Sequence, residues 1–170
     1  KSFIDTINIP FIEDRQHEDR DWLAHILVNA ESVIVAPYFT YRYTLNPNST
    51  CHYPRYSTVF DHIASGIRHL DLSENVKNKC PKLSYTLRTF GIDEIYKSIR
   101  LKNLTKYSWN DNKQFLSNKF LMSLLIDLRR VCKKYDFPKE VYFIANYPHL
   151  MQIIVLLTSP IAFLIRKIKH

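Results

Sequence analysis

Residues 13–22 read Glu13-Asp14-Arg15-Gln16-His17-Glu18-Asp19-Arg20-Asp21-Trp22, a dense acidic stretch running into apolar sequence. Carboxylates set this close can do two kinds of chemistry. One can take a proton from a hydroxyl as a general base, or a pair can hold a divalent cation. From Glu18 to Ala30 the apolar residues Trp22, Leu23, Ile26, Leu27 and Ala30 fall at helical spacing, so the acids open an amphipathic helix. At about 100° per residue, Asp19 projects with Trp22, Leu23, Ile26 and Ala30 toward the interior. Glu18 lies at the flank and Asp21 on nearly the opposite face. Burial raises the pKa of an inward carboxylate and the helix dipole lowers it, which makes a tunable base at the edge of a pocket. The alternative is an ordinary acidic first turn, favoured at any helix start. Asp19-Arg20-Asp21 is also a literal D-x-D. Positions i and i+2 of a helix stand about 200° apart, so the pair cannot chelate one ion and is rejected as a metal site.

The elements that must position this helix follow in order. Ile7-Asn8-Ile9-Pro10-Phe11 reads as a short extended lead-in, because Pro10 disfavours helix at Ile9. After the helix, Ser32-Val33-Ile34-Val35-Ala36 has the composition of a buried strand, Pro37 interrupts it, and Phe39–Thr44 is an aromatic, β-prone second strand. A loop covers 46–54. Beyond it the pattern turns helical over Ser57–Leu70, Lys82–Arg88, Ile92–Lys102, Lys113–Lys134, Pro138–Tyr147 and Leu150–Lys169, with Pro160 interrupting the last. The chain of 170 residues holds 2 glycines, Gly66 and Gly91, where average usage would give about 12. Neither a Rossmann fingerprint nor a P-loop is therefore present. The cysteines Cys51, Cys80 and Cys132 show no C-x-x-C spacing, which argues against a disulfide framework or zinc finger and for a reducing, cytosolic compartment. The sequons at Asn48 and Asn103 leave a secreted origin open, but the first stretch has no apolar run of signal-peptide length. The chain begins at Lys1, which raises the expectation that it is a piece of something longer.

The net charge of +8 is unevenly placed. Residues 1–96 carry 10 Lys/Arg against 12 Asp/Glu, and residues 97–170 carry 14 against 4. The second half thus has the charge of a surface facing a polyanion, either an anionic membrane or nucleic acid; the alternative is a set of solvated basic helix faces. Met151–Ile165 is apolar but too short to span a bilayer, for which about 20 residues are needed. Arg166, Lys167 and Lys169 follow it, so the segment suits either a helix in the interface of an anionic bilayer or a buried C-terminal helix with a basic tail.

Taken in order, Lys1-Ser2-Phe3-Ile4, Ile9-Pro10-Phe11, Glu18-Asp19-Arg20-Asp21-Trp22, Val33-Ile34-Val35-Ala36-Pro37, Tyr41-Arg42-Tyr43 and Asn48-Ser49-Thr50 resemble the second half of a family 2 glycosyltransferase with the GT-A fold. The resemblance implies an α/β arrangement: a GT-A-like C-terminal half over 1–55, holding the acceptor and catalytic base, followed by a mostly α-helical region over 56–170. It implies that Asp19 is the general base that deprotonates an acceptor hydroxyl, and that Glu18 orients the acceptor or the base. Arg42 and His52 would approach the diphosphate; the alternatives are a strand-face surface ion pair for Arg42 and a solvated loop position for His52. Trp22 would either pack the core or stack on a sugar. The donor is a nucleotide-sugar and the acceptor a saccharide or lipid-linked saccharide of bacterial envelope or capsule polysaccharide. The resemblance further implies Mg2+ or Mn2+, bound by a D-x-D motif in the family's N-terminal half, which this chain lacks. The chain alone should therefore be inactive. The expected place is cytoplasmic, either free or peripheral at the inner face of the plasma membrane. Beyond residue 60 no family motif occurs.

The competing class is a non-enzymatic basic helical module that binds a polyanion through residues 97–170, where Tyr96, Tyr107, Trp109 and Phe115 interleave with cations. No RNP, helix-turn-helix or zinc pattern supports nucleic acid as that partner. A membrane-surface scaffold without chemistry is a third reading.

Overall fold

The structure, a computed structural model, describes residues 2–9, 18–37, 57–99 and 119–147, and positions 150, 153, 154, 157, 158 and 161. Six helices make up the described part: α1 (Ser2–Ile7), α2 (Glu18–Asn29), α3 (Ser57–Val76), α4 (Pro81–Ile99), α5 (Lys119–Cys132) and α6 (Lys139–Asn146). α3 and α4 pair along their length, α2 and α5 each pack on α3, and α6 packs on α5 with a smaller contact to α4.

The α3–α4 pairing is where the two glycines go. Gly66 and Gly91 are both buried and face each other across the helix crossing. A Cβ on Gly66 would sit 2.8 Å from the Gly91 carbonyl oxygen and 2.6 Å from Ile95 Cγ1. A Cβ on Gly91 would sit 2.7 Å from the Gly66 carbonyl oxygen and 3.0 Å from Leu70 Cγ. Where two helices, Lys82–Arg88 and Ile92–Lys102, are expected, α4 runs unbroken over Pro81–Ile99. Gly91 costs helix propensity, and the close backbone contact it permits offsets that cost. α3 likewise runs past Leu70 to Val76, because Leu72 and Val76 have a cluster of their own to bury in.

Around the crossing lies the main core: Val59, Phe60, Ile63, Ile67 and Leu70 of α3, Ile95 and Ile99 of α4, Leu124, Leu128 and Val131 of α5, and Val141 and Ile144 of α6. A smaller cluster joins Ala24 of α2 to Leu72, Val76 and Leu87, with Val28 and Leu83 against it. At the far end of α5 the packing is polar. Arg130 pairs with Asp71 through two bonds of 2.8 and 2.9 Å, Lys134 reaches Glu74 at 2.9 Å, and Tyr135 Oη donates to the same carboxylate at 2.8 Å. The bonds from Lys134 and Tyr135 hold the Glu74 carboxyl below its ordinary pKa.

The expected α/β fold is not found. No residue among those described is in a strand. Ser32–Ala36, read as a buried strand from its apolar β-branched run, is irregular and exposed: Val33, Ile34 and Val35 are 62%, 91% and 89% accessible. A strand exists only with a partner that takes its N–H and C=O groups, and none stands beside this run among the described residues. The second expected strand, Phe39–Thr44, and the loop over 46–54 lie outside them. The extended lead-in is also corrected at its start. Ile7 ends α1, and Asn8 at φ 40° takes the left-handed conformation that asparagine tolerates after a helix.

Replacing Gly91 by Ala tests the crossing with an unambiguous sign. Propensity alone would stabilise α4 by about 1 kcal/mol. The backbone clash should instead destabilise the protein by about 2 kcal/mol in urea unfolding, while Thr86→Ala on the exposed face of α4 changes it by less than about 0.5 kcal/mol.

Candidate functional site

The helix predicted over Glu18–Ala30 forms as α2, Glu18–Asn29, but it turns a different face inward. Asp21 and Ala24 are its buried residues, with Val28 packed beside them, an i, i+3, i+7 stripe. Asp19 is exposed, Leu23 is 52% accessible, and Glu18 and Trp22 are half-buried. The inward placement of Asp19 and the outward placement of Asp21 are therefore both corrected. The reason lies in α3, which offers the first turn of α2 polar groups and only the later turns an apolar surface.

Asp21 is held from several sides. Ser65 Oγ donates to its Oδ1 at 2.7 Å, and Arg68 donates to its Oδ2 through Nε at 2.8 Å and through Nη2. His69 Nδ1 lies 3.5 Å from Oδ1 but gives its proton to the Ser65 carbonyl at 2.8 Å. The carboxylate is 4% exposed, so these bonds replace the water it has lost. Serine, histidine and aspartate meet here without forming a hydrolytic triad. The serine proton points at the aspartate, and Ser65 is 1% exposed, out of reach of a substrate. A second knot lies one turn away, where Glu94 of α4 takes the His62 imidazole and Arg20 Nη1, the latter at 3.4 Å. The Arg20 guanidinium also stands 5.9 Å from the Phe90 ring centroid, and that ring lies 4.9 Å from His69. Burial lowers the pKa of His25 below its ordinary 6.5; the Asp21 charge opposes the shift, and Arg68 and His69 add to it.

Together these contacts fix the first turns of α2 from the inner side and leave the outer side open. Asp19 Oδ1 accepts the Arg20 backbone N–H at 2.9 Å. Asp19 and Asp21 thus occupy different environments and do not converge on one point. Among the described residues no three His, Cys, Asp or Glu side chains are grouped to hold a metal ion. Arg42 and His52 lie outside the described residues, as do Tyr41-Arg42-Tyr43 and Asn48-Ser49-Thr50. Among the described residues, no helix is long and apolar enough to cross a membrane. The chain matches no protein-family model, no curated protein and no solved structure.

The clamp residues Ser65, Arg68, His69 and Glu94 were not singled out from sequence. A signal was present: His62, Ser65 and His69 mark an i, i+3, i+7 polar stripe on α3 beside its apolar face. Asp21→Ala leaves a half-buried guanidinium and a buried hydroxyl without their acceptor and should cost about 3–5 kcal/mol, whereas Asp19→Asn should stay within about 0.5 kcal/mol. The His25 shift adds a pH dependence. Below 6.5 the unfolded chain takes up a proton that the folded imidazole resists, so stability falls as pH drops through that value. In urea titrations at pH 7.5 and 5.5, His25→Gln should make the loss on acidification smaller than in the unaltered protein.

Proposed function

We propose that this chain is the acceptor-side, C-terminal part of an inverting glycosyltransferase that moves a sugar from a nucleotide-sugar donor to a saccharide or lipid-linked acceptor in envelope or capsule polysaccharide synthesis. The observation that carries the reading is the split between the two aspartates: Asp21 is locked into α3 while Asp19, two residues earlier, stands exposed on the first turn of the same helix. A general base needs a carboxylate that is accessible yet fixed in place. Asp19 is accessible, and the anchored inner face of α2 fixes the backbone that carries it. The order of acidic, aromatic and Asn-Ser-Thr segments over the first fifty residues adds support. So does the exposed run Val33–Val35, apolar surface suited to burial against a nucleotide-binding half.

In this reading the acceptor hydroxyl approaches Asp19. Its oxygen attacks the anomeric carbon from the face opposite the diphosphate, the bond from that carbon to the diphosphate oxygen breaks, and the hydroxyl proton passes to the Asp19 carboxylate. Glu18, half-buried beside it, orients the acceptor or the base. Trp22, half-buried one turn on, flanks the site. The nucleotide, and any cation that accompanies it, would be held mainly by residues outside this chain, with Arg42 and His52 as the chain's own groups to approach the diphosphate.

In the transferase that contains the chain, Asp19→Asn should lower kcat by about 100-fold or more with donor affinity unchanged, because an amide keeps the shape and cannot take the proton. Assayed below its unfolding transition, Asp21→Asn should keep most of kcat and lose thermal stability. A fully active Asp19→Asn enzyme would remove this function from the chain.

A further inference from the structure

The last turn of α5 and the residues just after it carry four cations, and the structure sorts them into two pairs by face. Arg130 and Lys134, four residues apart, are consumed by Asp71 and Glu74 of α3. Arg129 and Lys133, also four apart, face the other way. They line a cavity of about 430 Å3 together with Cys132, Tyr142 and Asn146. Arg129 spends Nε and Nη2 on the Ala145 and Asn146 carbonyls at the end of α6, and these neutral acceptors leave its charge uncompensated. Burial pushes the Cys132 thiol up to about 11, so it contributes no negative charge near neutral pH. Among the described residues, the cavity wall therefore holds two cations, an amide, a phenol and a neutral thiol, and no carboxylate.

Asn146 ends α6 at this cavity, and the described residues that follow it in the chain include exposed apolar side chains. Tyr147, Leu150, Ile153, Leu157 and Ile161 are all exposed, Leu157 at 67%, and every described residue from 150 to 161 is helical. Leu150 is four residues from Asn146, so at most about 14 Å separates them. A doubly cationic cup beside an apolar helical face matches the two parts of one molecule, a phosphate headgroup and its acyl chains.

We propose that the α5–α6 cavity is a headgroup site for an anionic phospholipid, and that the exposed apolar residues Leu150, Ile153, Leu157 and Ile161 enter the bilayer interface beside it. The site stands on the α5–α6 cavity and those exposed residues and does not depend on the transferase reading. Phosphatidylglycerol is a suitable ligand, its phosphate meeting Arg129 and Lys133. The full chain should co-sediment with phosphatidylcholine vesicles that contain phosphatidylglycerol and not with phosphatidylcholine alone. Lys133→Glu changes two charges at the cup and should weaken that binding roughly thirtyfold. Arg88→Glu makes the same change on an exposed part of α4 outside the cup and should weaken it no more than about twofold. Leu157→Asp should weaken binding comparably to Lys133→Glu, and thermal unfolding should show both variants folded, with Lys133→Gln available as the milder change. Equal losses for Lys133→Glu and Arg88→Glu would reduce the site to diffuse charge and overturn the proposal. So would saturation by inorganic pyrophosphate without vesicle binding, which would assign the cup to a soluble phosphate ligand. Binding to single-stranded RNA but not to the vesicles, abolished by Lys133→Glu, would also overturn it in favour of nucleic acid.

Discussion

Two glycine backbones pressed together at the α3–α4 crossing set the geometry of everything else that is described. The main core grows outward from Leu70 and Ile95, which flank the contact and are fully buried. The distance between the helices determines whether α5 and α6 can close over them. The constraint is unusually stiff in one respect. A tight contact between larger side chains can be relieved by trimming the partner. Here each prospective Cβ meets the other glycine's carbonyl oxygen, and no residue is smaller than glycine, so neither position can compensate for a change in the other.

The polar clamp on α2 is the second organising element, and it differs in kind. A helix docked only by apolar side chains can settle in several orientations of nearly equal energy. Asp21 cannot, because a carboxylate at 4% exposure is tolerated only where Ser65 and Arg68 meet it. Burial of a charge thereby fixes the rotation of α2 about its axis, and with it the side on which Glu18 and Asp19 emerge. The Glu94 knot does similar work through Arg20, tying the first turn to α4 as well as to α3.

Helix positions were largely legible from spacing, since α2, α3, α5 and α6 form on the segments whose apolar repeats predict them. Two kinds of information were not. The face that α2 turns inward cannot be read from its apolar residues, because its inner neighbour is a polar stripe on α3 some forty residues away in sequence. Leu23, which pattern alone sends to the core, is exposed for that reason. Nor can an apolar run announce whether a partner exists for it: Val33-Ile34-Val35 has strand composition, but pairing is a property of two segments. The unbroken α4 shows the same limit. Gly91 reads locally as a weakness in a helix and becomes a requirement only once Gly66 stands opposite. At the candidate site, Glu18, Asp19 and Trp22 were legible as residues, whereas the buried anchor that distinguishes Asp19 from Asp21 was not.

The exposed run after α2 also bears on how the isolated chain behaves at high concentration. β-branched residues with free backbone groups are a template for strand addition between copies, the first step toward aggregation. The flanks limit this. Glu31 places a charge at one end, and Pro37 at the other has no N–H to give to a growing ladder. Such gatekeepers shorten the sticky segment to a few residues, long enough to be covered by another part of a protein and too short to nucleate a fibril readily.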